Sequence, residues 1–135
     1  MLDTWVVVAD AGGCRIFSSD VALTELTAVK ELKNEFHGGE HRGHSAKGHD
    51  SAHREIESKF ATEIGSEITR AVAAHEVHDI LLVAPSRFLG DLLRSLPKAT
   101  EDHVTGKIHK DFSSVSAHDL APRLREALAE NHDLH

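Results

Sequence analysis

Unbroken apolar runs, alternating stretches and i+4 stripes follow one another along the chain in an order that predicts its elements. Trp5-Val6-Val7-Val8-Ala9 is a short continuous run of β-favouring residues, which predicts a strand with neither face in water and hence a central one. Asp10-Ala11-Gly12-Gly13 supplies turn residues and Cys14-Arg15-Ile16-Phe17 resumes an extended pattern, so the two runs form a hairpin. A third strand is expected within Thr24 to Leu32, with Leu26, Ala28 and Leu32 on one face and Thr27, Val29 and Glu31 on the other.

Residues 34–53 break every periodicity and hold four glycines and five histidines. They read as a loop of about 20 residues, longer than the ~12–15 at which a loop inside a compact domain calls for a functional reason. From Arg54 the helical period takes over, with Ile56, Phe60, Ile64, Ile68 and Val72 at i+4 spacing. Asp79-Ile80-Leu81-Leu82-Val83-Ala84 is a second apolar run, parallel to the first because a helical crossover precedes it. Pro85 ends it, Ser86 is the expected cap of the next helix, and Leu89, Leu92, Leu93 and Leu96 form a stripe that Pro97 stops. Val104, Gly106 and Ile108 alternate as a fifth strand. Ser116-Ala117-His118-Asp119 has capping-box spacing before the stripe Leu120, Leu124, Leu128, and residues from Asn131 to His135 are expected to fray.

The order βββαβαβα predicts an α/β, three-layer fold: a mixed five-stranded sheet in the order 3-2-1-4-5 with helices on both faces, the ribonuclease H-like layout. At 135 residues this is one domain, 1–135, carrying a long His/Gly-rich loop at about 34–53. No stretch reaches the ~18 apolar residues of a membrane span, and Met1-Leu2-Asp3 lacks a basic signal start, so the expected location is cytoplasmic. The one cysteine, Cys14, excludes an internal disulfide and a multi-cysteine zinc site.

Fifteen Lys and Arg against 22 Asp and Glu give a formal charge of −7, which argues against DNA binding by the whole surface and leaves room for a local RNA contact. Protonating all twelve histidines would add twelve charges and reverse the sign, through groups that titrate near pH ~6.5. Five of them, His37, His41, His44, His49 and His53, crowd into the loop. Neutral imidazoles suit zinc, nickel or copper, so these five are the candidate metal ligands, although their spacings of four, three, five and four match no fixed zinc signature. Glu40, Arg42, Lys47 and Asp50 cancel, so the same loop would turn cationic on acidification, as a pH sensor would.

Asp10 and Asp111 are placed at the carboxyl ends of strands one and five, where open α/β sheets hold ligands. A two-metal nuclease needs further acids there, and strand four ends in Ala84-Pro85 instead, so turn-forming roles are favoured. Cys14 has no base beside it in sequence and reads as a packed residue. Ser86-Arg87 at a helix start could hold an anion, with ordinary capping as the simpler role.

The stretches Trp5 to Phe17 and Leu82 to Leu93 (LVAPSRFLGDLL), with Lys110-Asp111-Phe112-Ser113, together resemble the bacterial host attachment protein family, from about Thr4 to the final helix. More distantly the chain is similar to the middle domain of archaeal and eukaryotic peptide-chain release factors. That domain carries a Gly-Gly-Gln loop between its third strand and first long helix. Here the slot holds His37-Gly38-Gly39-Glu40-His41-Arg42-Gly43-His44, with Glu40 where the resemblance implies glutamine. The resemblance implies a release-factor middle-domain-like fold and a non-enzymatic binding module, associated with the ribosome or RNA through Gly38, Gly39, Glu40, Arg42, Arg54 and Arg87. A metal-binding or pH-sensing protein is the competing expectation, and a peptidyl-tRNA hydrolase a weaker third, because Glu40 adds a charge that RNA phosphate repels.

Overall fold

The computed structural model of the protein describes residues 3–35 and 49–133. Its elements are β1 (Thr4–Asp10), β2 (Gly13–Ser19), β3 (Leu26–Lys33), α1 (His49–Ala73), β4 (Asp79–Ala84), α2 (Ser86–Arg94), α3 (Lys98–Glu101), β5 (Val104–His109) and α4 (Ala117–Asp133). The strands form one sheet in the order β3-β2-β1-β4-β5, as the pattern predicts. β1 lies antiparallel to β2 and parallel to β4, and β5 is parallel to β4.

The unbroken run in β1 is explained by its central place. Trp5, Val7 and Ala9 face a core closed by Phe60, Ile64 and Ile68 of α1 with Phe88, Leu89 and Leu92 of α2. Val6 and Val8 face the other core, closed by Leu120, Leu124 and Ala127 of α4. Helices therefore cover both faces, and β1 and β4 have no solvent side.

Two strands depart from simple alternation. Ile16 pairs with Lys30 and Phe17 with Ala28, which leaves Val29 as an extra residue in β3. This β-bulge turns the strand over: Leu32 packs on the α1/α2 side and Leu26 on the α4 side, not on one shared face. In β5, Ile80 pairs with Val104 and Leu81 with Gly106, so Thr105 is the extra residue. Val104 accordingly packs toward α1 and α2, whereas Ile108 packs toward α4.

The helix ends also differ from expectation. α1 begins at His49, not Arg54, so the last five positions of the expected loop are helical. Among the described residues no α1 side chain before Phe60 belongs to a core cluster, so the first turns of the helix lie off the core, where periodicity has little to detect. The α2 N-cap is Pro85, and Ser86 is the first helical residue. A short helix, α3, follows Pro97. Ser116 caps α4 as expected, its Oγ accepting from the Asp119 N–H at 3.3 Å, and α4 continues to Asp133 through part of the stretch expected to fray.

Candidate functional site

The carboxyl edge of the sheet gathers the ends of β1, β4 and β5 with the end of β3. Lys33 of β3 lies opposite Gly13, and the next residue is fixed to the β1–β2 turn: the Asn34 N–H donates to the Gly12 carbonyl at 3.1 Å and its Nδ2 to the Ala11 carbonyl at 3.0 Å. Asp10 organises that turn from within. Its Oδ1 accepts from the N–H groups of Gly12 and Gly13, each at 2.9 Å. Asp111 does the same after β5, its Oδ1 accepting from the Ser113 N–H at 3.1 Å and the Ser113 hydroxyl at 2.6 Å. Both carboxylates thus have the turn-forming role, and among the described residues no group of three His, Cys, Asp or Glu side chains could hold a metal ion.

Arg15 of β2 ties this edge to the loop after β5 by donating to the carbonyls of Phe112 at 2.9 Å and Ser113 at 3.1 Å. Between β4 and β5, the Ser86 hydroxyl and His109 Nδ1 are 3.2 Å apart. Cys14 is buried beneath the edge. Burial, and then the neighbouring Asp10 charge, push its thiol up to about 12, so it is a packed residue rather than a nucleophile.

α1 reaches beyond this edge. It runs alongside α2 in the same direction, because Phe60 meets Phe88 with ring centroids 6.1 Å apart and Gly65 meets Ser95 farther along both helices. Phe88 is in the first turn of α2 while Phe60 lies deep in α1, so α1 overhangs the start of α2 by roughly two turns. That overhang carries His53, half-buried, and Arg54, exposed. Arg54 lines a groove of about 440 Å³ between the two helices with Ser58, Thr62, Asp91, Arg94 and Ser95. Arg87 is exposed in the first turn of α2 but does not line that groove.

Of the residues singled out in the sequence, His37, Gly38, Gly39, Glu40, His41, Arg42 and His44 lie outside the described residues. His49 falls in the first turn of α1 and His53 one turn later. Arg54 lies in the second turn of α1 and Arg87 in the first turn of α2, helices that pack on the same face of the sheet. Sequence reasoning did not find Arg15, whose partners lie 97 and 98 positions away and meet it only through the sheet register.

A family model described as "Protein required for attachment to host cells" matches residues 5–124. No curated protein matches the chain. Among solved structures, the chain is similar to an archaeal translation termination factor, with TM-score 0.55 and 11% identity. It is also similar to a second structure described only as an archaeal protein, with TM-score 0.53 and 11% identity. The alignments cover 97% and 98% of this chain but 39% of each of the others, so the chain spans about two fifths of their length. At that identity the likeness is one of fold.

Proposed function

We propose that this chain, which belongs to the family of proteins required for attachment to host cells, is a non-enzymatic cytoplasmic binding module that meets RNA, foremost that of the ribosome, with the carboxyl edge of its sheet. The observation that carries this reading is the convergence at that edge. Segment 36–48 connects the residues after β3, tied by Asn34 to the β1–β2 turn, with the start of α1, and the exposed Arg54 and Arg87 stand in the second turn of α1 and the first turn of α2. Guanidinium groups take phosphate oxygens in bidentate fashion, and a backbone rich in glycine allows close approach to a ligand. A chain of formal charge −7 needs its cations gathered locally to do this. The acids of the same edge offer no chemistry in its place, since Asp10 and Asp111 are committed to their turns.

The test is co-sedimentation of the untagged chain with ribosomes across a salt series. Pelleting should weaken steeply from about 50 to 200 mM salt, as phosphate contacts do. The double variant Arg54→Glu, Arg87→Glu should lower binding at every salt concentration. Absence of pelleting, or pelleting indifferent to salt, overturns the reading.

One observation favours a second reading, metal binding by the loop histidines. Five histidines fall within residues 37–53, and neutral imidazoles suit one zinc, nickel or copper ion. Elemental analysis of untagged, dialysed protein should then give stoichiometric metal, lost on replacing His41, His44 and His49 by Ala. Metal-free protein excludes it.

A further inference from the structure

The end of the sheet opposite the candidate site holds a second group of histidines. His75, His78 and His103 line one cavity of about 240 Å³ with Asp3, Val72, Glu76 and Val77. The backbone there is closely fixed. The His78 and Asp79 N–H groups donate to the Asp3 carbonyl at 2.8 and 3.2 Å, and the Ile80 N–H donates to the His103 carbonyl at 2.9 Å. The rings of His78 and His103 stand 5.5 Å apart, centroid to centroid, at 87°.

Their outer hydrogen bonds settle which nitrogen carries the proton. His103 Nδ1 lies 2.7 Å from the His78 carbonyl oxygen, which can only accept, so Nδ1 is the N–H and the lone pair of the neutral ring is on Nε2. His78 Nδ1 lies 3.2 Å from Asp79 Oδ1, and an ionised carboxylate likewise only accepts. Two neighbouring imidazoles therefore each give one N–H to an oxygen and keep a lone pair on the other nitrogen. This is the outer-shell arrangement that orients histidines on a metal. Two imidazoles on one tetrahedral ion have ring centres roughly 5 Å apart, given the Zn–N distance, close to the spacing found here.

We propose that His78 and His103 form a two-imidazole site for a late divalent transition ion of the zinc, nickel or copper class. Asp79 and the His78 carbonyl set the ring tautomers, and water completes the coordination. The site has two protein ligands; among the described residues no group of three His, Cys, Asp or Glu side chains could hold a metal ion. The pair joins the loop after α1 to the turn before β5, so a bound ion cross-links the two connections that flank the start of β4. This site is separate from the loop histidines and stands or falls independently of them.

The experiment uses the full chain with His37, His41, His44, His49 and His53 replaced by Ala, titrated calorimetrically with zinc chloride. One equivalent should bind and raise the melting temperature. His78→Gln, at a side chain 75% exposed and so harmless to folding, should weaken binding tenfold or more. Asp79→Asn, which removes the carboxylate behind His78, should weaken it by about tenfold while both ligands remain. Absence of zinc binding in this chain, or binding unchanged by His78→Gln, overturns the proposal. Zinc binding that disappears on removing only the loop histidines also overturns it and supports the loop site instead.

Discussion

Gly65 of α1 lies so close to Ser95 at the end of α2 that a Cβ on Gly65 would run into the Ser95 hydroxyl and come within 3.1 Å of its Cβ and 3.3 Å of its carbonyl oxygen. The hydroxyl is held there by donating to the Leu92 carbonyl at 2.6 Å. Only a hydrogen fits between the two helices at this point, and this close approach helps fix how α1, with its overhang, sits on the sheet.

Gly65→Ala should therefore destabilise the chain by about 1–3 kcal/mol, the usual cost of overpacking, read as a lower urea midpoint. Adding Ser95→Gly should recover part of the loss. Gly106→Ala serves as the contrast: its Cβ would come within 2.7 Å of Leu81 Cδ1, the far end of a flexible side chain, and otherwise meet Leu128 Cδ2 at an ordinary 3.9 Å, so it should cost less. Equal costs at the two positions would show that the α1–α2 contact is not tight.

His75, two residues past the end of α1, is in the left-handed region, φ 62°, where the Glu76 N–H returns to the Ala71 carbonyl at 2.9 Å and the His75 N–H to the Val72 carbonyl at 3.0 Å. Glycine is the residue that takes this position without strain. His75→Gly is expected to stabilise the chain by about 1 kcal/mol, measured by denaturation with chelator present. A loss of stability would mean that the imidazole makes contacts worth more than the strain.

Much of this fold is legible in the sequence because burial on both faces, or along one helix stripe, leaves a period behind. β1 and β4 announce themselves as unbroken runs, Phe60, Ile64 and Ile68 as a stripe, and the chain order then fixes the sheet. The bulges at Val29 and Thr105 leave no such mark, since one extra residue in a partly exposed strand changes which face a leucine meets without changing composition. Residues 49–53 escaped for the opposite reason: a helical overhang off the core needs no apolar face. The carboxyl edge was legible through Asp10 and Asp111; the glycine-rich slot expected there lies outside the described residues. The His78–His103 pair was not, because 25 positions separate the two residues and only the pairing of Ile80 with Val104 brings them together.

Cys14 gives a direct measure of how firmly the carboxyl edge is closed. Its thiol is 2% exposed and pushed up to about 12, so at pH 8 the thiolate that a disulfide reagent attacks is nearly absent in the folded chain. Labelling should be negligible in the native protein and reach one equivalent in urea. Fast native labelling would mean that the β1–β2 turn opens readily.

The last prediction concerns acid. Glu67 accepts from Arg70 at 2.9 Å and pairs with Lys30 of β3 at 3.2 Å, so it ties α1 to the strand at the other end of segment 36–48. The Arg70 hydrogen bond, partly opposed by burial and then reinforced by the Lys30 hydrogen bond, holds its carboxyl below the usual glutamate value of about 4.5. Glu76 is likewise lowered, chiefly by its hydrogen bond from Arg70, and Asp20 by the Thr24 hydroxyl. For each, the folded value lies below the unfolded one. The stabilisation is thus complete above the unfolded value and disappears as pH falls through the folded one. Wild type should exceed Glu67→Gln in urea midpoint at pH 6, with the gap closing below about pH 4.5. The gap should be modest even at pH 6, because Lys30 and Arg70 are largely in solvent. A difference that persists unchanged at acid pH would mean that the substitution acts through packing and not through these ion pairs.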